Sequence, residues 1–233
     1  MKITFLPQRH NVYLIDGELP QEAFDKIVAY QHRLALYVLD HPGAAIFAEG
    51  VTDDRVLAKD RTIEAFKKKS AEMAELFPGG TIPRSFSDLN QAQKKALLDG
   101  GVTNVLYSLG HVPHIRKTIN ADDWKAGMRH INKKIFGDGF QELEKLRRAG
   151  ELFHTPELSA LVKHDPAVSH FVFEQREYLA MREIAQFAKN PNSRGKEIIL
   201  VFGAAHDFKN HYGHCKDVDF QIPFAVEASD RED

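Results

Sequence analysis

Ala44-Ala45-Ile46-Phe47-Ala48-Glu49-Gly50 sets five apolar residues in a row between the Pro42-Gly43 turn and a glutamate. A run of that length bounded by turn residues fits a strand buried on both faces, the kind found in parallel sheets. Upstream, Ile3 to Leu6 is a second short apolar run, stopped by Pro7, and reads as a first strand. Between the two, Phe24, Ile27, Val28, Gln31, Ala35 and Val38 recur at helical spacing. Pro20 stands where a helix takes its proline, and His41-Pro42-Gly43 ends the periodic stretch. Strand, helix and strand within about 50 residues make a βαβ unit, which implies a parallel sheet.

Working outward, residues 54 to 76 and 88 to 99 carry helix formers at apolar spacing, split by Pro78-Gly79-Gly80 and Pro83. Val102 to Leu109 fits either a strand or a helix. Asn120 is placed as the N-cap of a helix running to about Phe136, and further helices are predicted near 140 to 148 and 156 to 163. Asp165-Pro166 opens a long helix reaching about Lys189. Ile198 to Phe202 is another fully apolar strand, ended by Gly203. Phe220 to Val226 reads as a last strand, near an edge because Pro223 lacks a donor. The fold expected is α/β: a layered, mostly parallel sheet flanked by helices, with a helical cap or insertion in the middle. All 233 residues are taken as one domain, with 53–165 as the insertion inside it.

Composition excludes several classes. With 43% hydrophobic residues the chain is too apolar to be disordered. Its 31 Lys+Arg against 33 Asp+Glu, a net charge of -2, leave no basic footprint for nucleic acid. No apolar run reaches the ~18 residues of a transmembrane helix. A single cysteine, Cys215, rules out an internal disulfide and points to a reducing compartment. The opening Met1 to Pro7 is too short for a signal-peptide core before Gln8-Arg9-His10. A cytoplasmic setting follows by default, and a non-classical secretion route stays compatible with it.

Three apolar strands lead into ionisable residues: the first to Gln8-Arg9-His10, the second to Glu49, the third through Gly203-Ala204-Ala205 to His206-Asp207. Ligands of parallel α/β sheets bind outside the carboxyl ends of the strands, where these three ends would meet. Two imidazoles and a carboxylate suit a divalent transition metal, so His10, Glu49 and His206 form the expected metal set. The plain structural alternative is that each residue caps its strand and faces water. Arg176 lies among Val172, Phe173, Leu179 and Ala180 at helical spacing, so it either snorkels to solvent or meets a carboxylate or anion. Gln31 poses the same question on the first helix, where the bland reading is a satisfied buried amide. His111 and His114 would form a second half-site if their segment were helical, which Pro113 opposes. The His206, His211, His214 and Cys215 run matches no metal-finger spacing. There is no Gly-x-Gly-x-x-Gly, no P-loop and no Gly-x-Ser-x-Gly elbow.

Ile198-Ile199-Leu200-Val201-Phe202-Gly203-Ala204-Ala205-His206 resembles the strand plus Gly-x-x-His signature near the end of TraB/Tiki proteins and their ChaN-like and erythromycin-esterase relatives. Arg176-Glu177-Tyr178-Leu179-Ala180-Met181 is similar to the arginine-bearing helix that precedes that strand, and Pro7-Gln8-Arg9-His10 matches the histidine of the opening motif. Ala44 to Glu49 resembles the second strand ending in glutamate, and Gln31 stands where the helix between often carries glutamine. The likeness touches both ends, about half the chain, and residues 54 to 165 match no familiar pattern. Pro7 replaces the first glycine, and Gln8 stands where some relatives carry a glutamate.

The resemblance implies a bacterial metal-dependent hydrolase of ester or peptide bonds, acting on a small-molecule or peptide substrate. His10, Glu49 and His206 would hold or flank the metal. Glu49 and Arg176 would do catalytic work, with Gln8, Gln31, His111, His114 and Asp207 as further candidates. The alternatives are a non-catalytic haem- or iron-binding protein using the same edge, or an interaction or toxin-associated effector domain with a relic site. No protein partner is indicated.

Overall fold

The computed structural model describes residues 2–8, 20–136, 164–204, 206–214 and 218–224. The opening strand β1, Lys2–Gln8, is followed by α1, Gln21–Asp40, and β2, Ala45–Ala48. The middle of the chain then supplies β3, Arg55–Val56, α2, Leu57–Asp60, α3, Glu64–Leu76, α4, Gln91–Gly100, and α5, Val102–Ser108. After β4, His114–Arg116, comes α6, Ala121–Phe136. Helix α7 starts as Pro166–His170, passes through a π-helical turn at Phe171–Gln175 and continues as Arg176–Lys189. The chain closes with β5, Ile198–Gly203, and β6, Asp219–Gln221.

The six strands form one sheet in the order β3-β4-β2-β5-β1-β6. All neighbours are parallel except β3, which runs antiparallel to β4. The protein is therefore a layered α/β fold with a mostly parallel sheet, as the apolar runs imply. β5 lies between β1 and β2, the best-covered place in the sheet, and all six of its residues are buried. Side chains alternate along it. Ile199 and Val201 join Leu6 and Ile46 in the core under α1, α3, α4 and α5. Ile198, Leu200 and Phe202 join Ile3, Phe5 and Phe47 on the other face, under Ala180, Met181 and Ile184 of α7. Each such fully buried side chain stabilises the fold by about 1.5–3 kcal/mol, which is why the runs need no polar alternation.

Three details differ from the sequence reading. β1 runs through Pro7 to Gln8, because β6 ladders only with residues 2 to 4. Gln8 uses its carbonyl towards β5, accepting from Ala204 N–H at 2.9 Å, so by strand alternation Pro7 presents its missing donor to the open side. The stretch 53–165 is not purely helical, since it adds β3 and β4 to the sheet. As Pro113 leads one to expect, His111 and His114 do not share a helix, and His114 opens β4. β6 is an edge strand but shorter than read, ending at Gln221 before Pro223. Val102 to Ser108 resolves as a helix. Asn120 caps α6 as expected, its Oδ1 accepting from Asp123 N–H at 2.8 Å. The helices expected at 140 to 148 and 156 to 163 lie outside the described residues.

Candidate active site

Glu49 sits one residue past β2, and its N–H still ladders to Val201 O at 2.9 Å. Gly50 then turns the chain at φ 72°, a conformation that costs other residues about 1–2 kcal/mol. Thr118 clamps this corner: its hydroxyl donates to Ala48 O at 2.9 Å and its N–H to Val51 O at 2.9 Å. The Glu49 side chain, 11% exposed, is thereby aimed along the carboxyl edge of the sheet. Its Oε2 accepts from Gly203 N–H at 2.5 Å, and its Oε1 accepts from the Arg176 guanidinium.

Arg176 does not snorkel. Only 15% of its side chain is exposed, and its guanidinium also lies 5.4 Å from the Trp124 ring of α6 and 6.0 Å from Phe202. Of the two fates the sequence left open, the carboxylate partner is the one observed.

His206 follows β5 through a turn in which its N–H donates to Gly203 O at 3.1 Å. The ring is buried, edge-on to Phe202 at 4.9 Å and to Phe173 at 5.4 Å. Nδ1 lies 3.0 Å from Glu177 Oε1, and Nε2 lies 3.2 Å from Glu49 Oε1. Ionised carboxylates only accept, so with both carboxylates ionised both nitrogens donate and the ring is an imidazolium. Burial alone would lower its pKa. The hydrogen bonds to Glu177 and Glu49 and the Glu49 charge outweigh that, against the opposing Arg176, and the pKa is raised above 6.5. Two carboxylates, one guanidinium and one imidazolium then cancel in charge, which is what a buried cluster requires.

Glu177 is the residue the sequence reading missed. It is buried on α7, and its Oε1 also accepts from Asp207 N–H at 3.0 Å, while Oε2 lies 3.5 Å from His211 Nε2. Its spacing to Ala180, Met181 and Ile184 puts it on the buried stripe of α7, a carboxylate where an apolar residue is expected. That was the available signal.

The other candidates divide. Asp207 joins through its backbone N–H, and its carboxylate instead accepts from Lys209 N–H at 3.0 Å. Gln8 is placed opposite Gly203 in register, but its amide points to the other face of the sheet, against Gly101. Gln31 is fully buried on α1, which covers that same face. His111 and His114 lie at the amino-terminal edge, where their Nε2 atoms meet Gly80 O at 2.6 Å and Asp54 Oδ2 at 3.2 Å. His10 lies outside the described residues, as does Cys215.

A divalent metal fits the described donors poorly. Both His206 nitrogens and both Glu49 oxygens are engaged, and the Arg176 charge would repel a cation at Glu49. Among the described residues no group of three or more His, Cys, Asp or Glu side chains could hold a metal ion. The arrangement suits proton transfer instead. A carboxylate fixes the imidazole by one nitrogen, the other nitrogen meets a second carboxylate, and a guanidinium stands beside it. No protein-family model, no curated protein and no solved structure matches this chain.

Proposed function

We propose that the chain is a hydrolase of ester or peptide bonds working through Glu49, Arg176 and His206. The observation that carries the reading is the placement of one imidazole between two carboxylates, with an arginine on the second, at the carboxyl edge of a parallel sheet. Acid–base catalysis needs a proton held ready at a fixed atom, and this imidazole is fixed by a carboxylate at each nitrogen.

In this reading the substrate carbonyl enters beside Glu49 and Arg176. Glu49 takes a proton from the attacking water. The Arg176 guanidinium and the Nε2–H of His206, which hold Glu49 Oε1 at rest, turn from the protonated Glu49 to the oxygen on which negative charge develops. His206 then gives its Nε2 proton to the leaving group, and Glu177 keeps the ring in place by Nδ1 throughout. The metal that the TraB/Tiki-like resemblance implies has no part in these steps, because the described donors are already committed. A cytoplasmic setting accords with the single cysteine.

The test is turnover of a panel of aryl esters and short peptides by the wild-type protein, Glu49→Gln, Arg176→Met and His206→Gln, with folding of each followed by circular dichroism. Folded variants should lose about 100-fold or more in kcat/KM. A silent wild type across the panel, or variants as active as it, would overturn the reading.

A further inference from the structure

A cleft lies at the opposite edge of the sheet from Glu49. It encloses about 300 Å³ where the amino ends of β2 and β4 meet the turn after α1 and the segment leading into β5. That volume matches the lower end of small-molecule sites. Its floor is apolar, with Val38, Ile46 and Phe187, and its rim carries His41, Arg116 and Lys196. No Asp or Glu is among the residues that line it.

Two carboxylates stand behind the rim rather than in it. Asp54 lies 3.5 Å from Arg116 and 3.2 Å from His114. Glu197 is taken by Lys2 at 2.9 Å and by the Thr4 hydroxyl at 3.2 Å, and stays 3.8 Å from His41. Lys196 is exposed, and no carboxylate of the described residues pairs with it. Arg116 packs its guanidinium 4.3 Å from the Phe187 ring, so a cation and an aromatic face are presented side by side. His41 donates Nδ1–H to Tyr37 O at 2.7 Å, which fixes its tautomer and leaves Nε2 as its second polar atom.

We propose that this cleft binds a small organic anion with a flat apolar body. The anionic head would be held by Lys196 and Arg116, and the body would lie against Phe187 and Val38. The head supplies the counter-charge that the lining lacks, and the body covers the part of Phe187 that water otherwise wets. The site is separate from the Glu49 cluster and does not depend on what that cluster does.

Phenyl phosphate is a suitable probe, with inorganic phosphate and benzyl alcohol supplying head and body alone. Calorimetric titration of the full chain should give one-to-one phenyl phosphate binding, about tenfold or more tighter than either fragment and weaker at high salt. Lys196→Glu, an exposed change, should weaken it by about tenfold or more with unchanged circular dichroism. Glu49→Gln should leave it unaltered. Absence of saturable binding, equal affinity for a fragment, or indifference to Lys196→Glu would each overturn the proposal.

Discussion

Arg176 and Glu177 are consecutive on α7 but work on different sides of His206. Arg176 grips Glu49, the carboxylate at Nε2, and Glu177 grips Nδ1 directly at 3.0 Å. Successive helix residues diverge by about 100°, so the two flank one imidazole, Glu177 directly and Arg176 through Glu49, only because the helix meets the ring between them. The π-helical turn at Phe171–Gln175 ends immediately before the pair. An extra residue in one turn rotates everything after it relative to the preceding turns, and such bulges recur at functional sites.

Arg176→Met is expected to destabilise the fold by about 3 kcal/mol in urea melts, near the low end for breaking a buried pair. The low end applies because Glu49 keeps Gly203 N–H and His206 as partners. A loss under about 1 kcal/mol would show that these two suffice without the guanidinium.

Stability should also follow the charge on His206. Its folded pKa is raised above the 6.5 of the free side chain: burial works downward, and Glu177 and Glu49 more than offset it. The folded state thus binds this proton more tightly than the unfolded state. The contribution is complete below about pH 6.5 and fades as the pH climbs through the folded value. The difference in unfolding free energy between the wild type and His206→Gln should shrink from about pH 6 to pH 9. A constant difference across that range would mean that His206 is not charged in the folded protein.

Much of this cluster was legible in the residues. Glu49 and His206 stand at the ends of uninterrupted apolar runs, and Arg176 interrupts a helical apolar stripe. The sequence reading placed His206 in a metal set at the strand ends, with no carboxylate expected at its Nδ1. The ring is buried, because α7 crosses its strand end and brings Glu177 with it. Periodicity marks 177 as buried but cannot say which strand end the helix covers. β4 escaped notice for a different reason: three residues, His114 to Arg116, are too few to show alternation, and its pairing with β2 is fixed by tertiary contacts. Trp124 gave no sign of its place beside Arg176, since the approach of α6 to α7 is set by packing between helices rather than by either sequence alone.

Gly127→Ala sets helix propensity against packing. In an isolated helix the change would gain up to about 1 kcal/mol. Here a Cβ at Gly127 would fall 1.6 Å from Cε2 and 1.8 Å from Cζ of Phe171, a ring buried on the π-helical turn of α7. Overpacking of this kind costs about 1–3 kcal/mol, so the net effect should be destabilising. Trp124, the single tryptophan, lies three residues away and should report the altered seat of α6 by fluorescence. Adding Phe171→Leu should return part of the loss. A stabilised Gly127→Ala would mean that α6 does not pack there.

Glu177 offers the sharpest comparison, because its charge and its hydrogen bonding can be removed separately. Glu177→Gln keeps an acceptor for the N–H of Asp207 and for His206 Nδ1, at nearly unchanged shape. It removes the buried charge that balances the imidazolium, so the loss of stability should be largest at low pH, where His206 is protonated in both states of the chain. Glu177→Ala removes the acceptor too. The buried Nδ1–H of His206 then lacks a partner, at about 1–3 kcal/mol, and the half-buried N–H of Asp207 loses its acceptor as well. At high pH, with His206 neutral, Glu177→Gln should approach the wild type while Glu177→Ala stays well below it. Urea melts of the three proteins at both pH extremes give the result directly. If the two variants track each other at every pH, Glu177 acts through shape and hydrogen bonding alone, and the charge of His206 is not its concern.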